Sequence, residues 1–198
     1  MAERQLEPYR QGHLDGLCGV YSVLNAVRFA LRTMEMQRNY RTQRVRRLRH
    51  EECERLFTIL IGSMARRHRH ARFVFNGIGP HQLVSLLRAT DKWLRAHRGI
   101  CLRAVRPLKR AARKRALLAR MRSHLAAPGS ATIVGAKEPW PHWTVATRIT
   151  SARVHLLDSE GDTSIAISRG RRRLRYHAGL IDPSCLYLVQ LKELRTAR

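Results

Sequence analysis

The apolar residues of this chain change their period near residue 130, and that change restricts the fold more than any other feature. Before it, they recur at helical spacing over 17–31, 51–64, 81–97 and 107–127, with brief alternation at Ala71 to Phe75 and Ile100 to Val105. After it come short alternating runs at Ala131 to Gly135, Trp143 to Thr150, Arg153 to Leu157, Ser164 to Ser168, Leu174 to His177 and Cys185 to Leu191. Helices first and strands second predict an α+β fold, with N-terminal helices packed on one side of a C-terminal antiparallel sheet.

With 198 residues, the chain is long enough for one sizeable core and short for two, so a single domain over 1–198 is expected. Arg4, Glu7, Arg10 and Asp15 interrupt the start, and no apolar stretch has the reading of a secretory signal. The longest apolar run, around Leu56 to Ile61, is far below the roughly 20 residues of a membrane-spanning helix. A cytoplasmic protein with no membrane span is expected, although a specialised secretion system would leave no such mark.

The four cysteines stand far apart, with no Cys-x-x-Cys pair to begin a zinc site, so neither a metal nor another cofactor is expected. A reducing compartment also disfavours disulfides. Cys53, Cys101 and Cys185 sit among apolar neighbours, where a thiol is a small core hydrophobe. Cys18 differs. It opens the segment Leu17 to Leu31, whose Leu17, Val20, Tyr21, Leu24, Val27 and Leu31 form one stripe in a nearly charge-free helix. Asp15 and Gly16 precede it as candidate caps, so Cys18 falls in the first turn, where the helix dipole stabilises a thiolate. Gly19 is expected to keep the neighbouring backbone open to a substrate. The backbone N–H of Cys18 offers half an oxyanion hole, and the side-chain amide of Gln11 is the candidate for the other half.

A nucleophilic thiol needs a base, and ten histidines compete for that role. His142 introduces a strand, Trp143 to Ala146, that returns after Thr150 to Ala152 as Val154 to Asp158. If the two strands pair as a hairpin about Ser151, His142 meets roughly residue 159, and Asp158 lies within one position of it. A carboxylate there fixes the imidazole tautomer, which completes a nucleophile, a base and an orienting group. Asp182 is the rival carboxylate, although Pro183 after it suggests a turn.

At these residues the chain resembles the papain-like superfamily, and within it the bacteriocin-processing peptidases that cut double-glycine leaders. The resemblance rests on Gln11, Cys18-Gly19, His142-Trp143-Thr144-Val145 and Asp158, in the family order, and spans Gln11 to about Leu191. Leu17 stands where the family commonly has an acid, and Gln11 lies seven residues before Cys18. The resemblance implies a papain-like fold with its site between the Cys18 helix and the His142 hairpin. It also implies a cysteine hydrolase that forms a thioester acyl-enzyme on a protein or peptide substrate. A glutamine deamidase or toxin-like effector would use the same triad.

Charge raises a different class. Lys and Arg number 39 against 14 Asp and Glu, a formal net charge of +25, and only five of the 39 are Lys. Such a field attracts an acidic protein or, non-specifically, nucleic acid, while a GC-rich genome also produces an arginine bias with no partner behind it. A purely nucleic-acid-binding protein is disfavoured because no helix-turn-helix, zinc-finger or RNA-recognition signature is present and aromatic residues make up 6%.

Overall fold

The computed structural model describes residues 6–9, 16–37, 46–66, 77–106, 114–136, 142–167 and 181–194. Among them are four helices and six strands. Helix α1 spans Cys18–Gln37, α2 His50–Ala65, α3 Pro80–Arg98 and α4 Lys114–Leu125. The strands are β1 Ile100–Val105, β2 Ser130–Ala136, β3 Trp143–Ile149, β4 Arg153–Leu157, β5 Ser164–Ala166 and β6 Ile181–Glu193. The expected strands at Ala71 to Phe75 and Leu174 to His177 lie outside the described residues, as do Gln11 and Asp15. None of the described helices is long and apolar enough to cross a membrane.

Local chemistry accounts for the helix ends. Pro80 at the start of α3 needs no hydrogen-bond partner for its nitrogen, and the Gln82 side chain accepts the N–H of Gly79. The same helix stops at Gly99, whose φ of 61° closes the last turn with its N–H on the Leu94 carbonyl. In α2, Glu51 and Glu52 occupy the first turn, and Glu52 accepts the N–H of Arg49. Helix α1 runs six residues beyond the expected Leu31, because Met34 continues its buried stripe. The buried Asn25 on α1 binds both backbone groups of Tyr9, accepting its N–H at 2.9 Å and donating to its carbonyl at 3.3 Å. A polar residue inside an apolar helix thereby ties down the N-terminal segment.

The strands form one antiparallel sheet in the order β1-β6-β2-β3-β4-β5. Strands β2 to β5 follow one another as a meander, while β6 returns from the far end to pair between β1 and β2. The expectation of helices on one side only is corrected here. Alternate residues of the central strands point to opposite faces, and both faces are apolar. Ile133, Val145, Tyr187, Val189 and Leu157 pack with α1, α2 and α3, whereas Val134, Ala146, Leu186, Leu188 and Leu156 pack with Leu117, Leu118 and Met121 of α4. A sheet with two apolar faces needs two covers, since each fully buried Leu or Val contributes roughly 1.5–3 kcal/mol. Helix α4 supplies the second. The helix-then-strand order is also imperfect, because β1 falls between α3 and α4.

Candidate active site

Three elements meet at the site: the start of α1, the residue before β3 and the turn after β4. Cys18 is the first residue of α1, with the Leu17 carbonyl accepting from Val20 and Tyr21. Leu17 is thus the residue from which the helix springs, while of the two candidate caps Gly16 stands one position earlier and Asp15 lies outside the described residues. As first-turn residues, Cys18 and Gly19 have N–H groups with no acceptor inside the helix.

His142 is held by its main chain, whose carbonyl accepts the Ala136 N–H at 2.8 Å and so fastens it to the end of β2. The β3–β4 register pairs Val145 with Leu157. Extended past that pair, it sets Thr144 opposite Asp158 and His142 opposite Glu160. Asp158 reaches back along the edge, and Nε2 of His142 donates to its Oδ2 at 2.8 Å. The other oxygen, Oδ1, accepts the Glu160 N–H at 2.8 Å. Glu160 in turn has Oε1 3.1 Å from Nδ1 of His142. The imidazole and the Asp158 carboxylate are sealed from solvent, at 2% and 0% side-chain exposure.

Electrostatics follow from this geometry. Burial opposes a charge on His142, but hydrogen bonds to Asp158 and Cys18, and the negative charges those groups carry, outweigh it and push the imidazole up to about 10. Burial also works against the Asp158 carboxylate, and the hydrogen bond and charge of His142 with the Glu160 N–H bring it below the usual range. The ring therefore bonds the thiol of Cys18 and the carboxylate of Asp158 together. Nε2 is given to Asp158, and Nδ1 has the Glu160 carboxylate beside it.

Of the four residues marked out in the sequence, the structure brings Cys18, His142 and Asp158 to one place, and Gln11 lies outside the described residues. Asp182 does something else: its Oδ1 accepts from both N–H and Oγ of Ser184, closing a turn at the start of β6. Two of the other described histidines are engaged elsewhere. His97 stacks on Trp93 and His50 pairs with Glu54.

Gly19 is corrected. It does not open the backbone to a substrate; a Cβ there would collide with the side chain of Ile78 and come to 3.4 Å from Trp143. Close packing of α1 against the segment before α3 requires glycine at that point. Cys185 is also only half-buried, because it sits near the start of β6, beside Gly135, and away from the covered middle of the strand.

Sequence reasoning missed Glu160 and Ile78. Hairpin arithmetic carried two residues beyond Asp158 reaches Glu160, so a signal existed. Ile78 had none, since its role is a contact across 65 residues with Trp143. Among the described residues no group of three or more His, Cys, Asp or Glu is arranged to hold a metal ion. Compared with models of known protein families and with curated proteins, the sequence matches none.

Proposed function

We propose that this chain is a papain-like cysteine hydrolase of one domain, with Cys18 as nucleophile, His142 as base and Asp158 as the residue that orients the base. The observation that carries this is a single buried imidazole bonded at once to a helix-start thiol and to a buried carboxylate. A buried His–Asp pair by itself is a common structural device. A cysteine at the first turn of a helix, on the same ring, gives it a nucleophile to serve.

The chemistry runs through one nitrogen. Nδ1 already holds the Cys18 proton, and Sγ bonds to the carbonyl carbon of an amide as the electron pair of the C=O bond moves to oxygen. The Cys18 N–H, a first-turn donor of α1, is the group offered to that oxyanion. When the C=O bond re-forms, the C–N bond breaks, and Nδ1 returns its proton to the departing amine. Water then gives a proton to Nδ1 and its oxygen to the thioester carbon, releasing a carboxylic acid and the thiol. Asp158 stays ionised throughout, balancing the imidazolium and fixing Nδ1 toward the sulfur. The scissile amide can belong to a peptide, an isopeptide or a glutamine side chain, since each passes through the same tetrahedral step.

Mass spectrometry of a trapped Cys18 acyl adduct tests this, after incubation with a protein lysate and a quench at low pH. An adduct on Cys18 that vanishes in His142→Ala is expected. Adducts spread over all four cysteines, or insensitive to His142, would exclude the hydrolase.

A further inference from the structure

His142 is flanked by carboxylates on both ring nitrogens, and only one of them belongs to the triad. Asp158 holds Nε2 from a fully buried position, while Glu160 reaches Nδ1 at 3.1 Å with a side chain 41% exposed. The two are built as a unit, because the Glu160 N–H donated to Asp158 Oδ1 closes the turn that aims the Glu160 side chain back at the ring. On the proposed mechanism, Nδ1 is also the atom that must exchange its proton with Cys18. Two acceptors therefore share one N–H.

From this the geometry points to Glu160 as a positioning residue that competes with the Cys18 thiolate for Nδ1–H of His142 and thereby sets the pH range in which the thiol is reactive. The inference rests on the Cys18–His142–Asp158 assignment above. Cys18 comes to the ring from α1, and Asp158 and Glu160 from the turn after β4. Among the described residues, Ala136 of β2, bonded to the His142 main chain, and Trp143 of β3, next to it in sequence, carry no charge.

The sign is fixed by charge. An anion beside a thiolate disfavours it, so Glu160 opposes the reactive form of Cys18 and holds back alkylation on the acid side. An anion beside an imidazolium favours it, so the same carboxylate raises the pH at which His142 loses its proton. Both limbs of a bell-shaped reactivity profile are held toward higher pH. Because Glu160 is partly in water, each displacement belongs at the low end of the range for close charges, about one pH unit. The carboxylate also lies where it can leave the ring once a substrate carbonyl engages the thiol, which the sealed Asp158 cannot do.

The test is the rate of Cys18 alkylation by iodoacetamide from pH 4 to 11, read by mass spectrometry, in the wild-type protein, Glu160→Gln, Glu160→Asp and His142→Ala. Glu160→Gln keeps the size and polarity of the side chain and removes its charge. It should move both limbs to lower pH by about one unit and speed alkylation on the acid limb by up to about tenfold. Glu160→Asp, its carboxylate one methylene back, should shift in the same direction by less, and carries the test if the Gln variant does not fold by circular dichroism. Limbs that stay in place in both variants, or move upward, would overturn the role of Glu160 while the His142→Ala arm still shows the thiol depending on its base. A profile that His142→Ala also leaves unchanged would instead overturn the thiol–imidazole pair, and Glu160's role with it.

Discussion

The indole N–H of Trp143 donates to the carbonyl oxygen of Ile78 at 2.7 Å, joining residues 65 positions apart in a fully buried bond. The side chain of the same Ile78 fills the space over Gly19, the residue after Cys18. One short segment before α3 thus sets the spacing between the nucleophile's helix and the strand that follows His142. Tyr187 of β6 adds a second tie to that segment, its hydroxyl donating to the Pro80 carbonyl at 3.0 Å. The relative placement of thiol and imidazole depends on these contacts as much as on either element alone.

Trp143→Phe should accordingly cost about 1–3 kcal/mol, because it leaves the Ile78 carbonyl buried without its donor. Gly19→Ala should cost a similar amount, about 1–3 kcal/mol, by forcing Ile78 aside. Since both act on Ile78, the double variant should cost less than the sum of the two. Urea denaturation of the three proteins checks this; strict additivity would mean the two contacts are independent.

Cys18 is expected to be the thiol that reacts first. Burial pushes the Cys53 thiol up, even though Tyr9 and Arg28 partly offset it, and burial does the same to Cys185. Cys101 is as buried as Cys18, each 7% exposed, but it lies in strand β1 and not at a helix start. Iodoacetamide near pH 6 should label Cys18 at least about tenfold faster than the other three, as expected for a thiol paired with a protonated imidazole. Preferential labelling of the half-buried Cys185 would count against it.

Asp158 and Asp182 should separate cleanly. Asp158→Ala removes the acceptor of Nε2–H and should lower turnover of an amide reporter by about 10²- to 10⁴-fold. Asp182→Ala removes its bonds to Ser184 and its contact with Cys185, at the start of β6, and should change turnover by less than about threefold, with a loss of stability near 1 kcal/mol. The opposite ranking would move the orienting role to Asp182.

Much of this site was legible beforehand because its parts are local. A charge-free helical stripe marked α1 and put Cys18 at its start, and a hairpin with a short turn brought Asp158 to His142 by counting alone. The bulge between Ala146 and Arg148 alters that register by one position without undoing it. What was not legible is non-local. The insertion of β6 between β1 and β2, and the position of α4 on the second face, depend on how distant segments share one sheet. The alternation within β2 and β6, apolar at odd and even positions alike, is compatible with burial on both faces but does not say which helix covers which.

The His142–Asp158 pair should give the protein a distinctive dependence of stability on pH. The folded imidazole keeps its proton to about 10, whereas the unfolded value is 6.5, so its contribution is complete below 6.5 and fades as pH rises toward 10. Asp158 is held below its ordinary 3.8, so its contribution is present above that value and is lost as pH falls through the lowered one. Together they are strongest from about pH 4 to 6.5. In Asp158→Asn the largest upward influence on the imidazole is gone and burial remains, so the decline between pH 6.5 and 10 should flatten. Thermal unfolding of both proteins from pH 4 to 10 measures it; equal slopes on the alkaline side would show that the pair contributes no proton linkage.

The arginines pose the remaining question, whether the partner is acidic. Of the basic runs, 38–45, 67–72, 107–113 and 168–175 lie outside the described residues. The described arginines are spread over both sides of the sheet: Arg55 and Arg88 are exposed on α2 and α3, and Arg115 and Arg120 on α4. A single nucleic-acid groove would gather them on one face, so this distribution favours a general positive field that steers anionic substrates to the protein. Beside the imidazole itself the local charge is the reverse, with Asp158 and Glu160 both acidic. Long-range attraction and local selection can therefore be told apart by salt. Between about 0.05 and 0.5 M salt the Debye length falls from above to well below 10 Å, which removes the distant arginines while leaving contact pairs largely intact. The second-order rate on an acidic peptide reporter should drop about tenfold or more across that range, and the rate on a neutral reporter should change little. If both rates stay flat with the fold unchanged by circular dichroism, the arginine excess has no part in recognition and reflects composition alone.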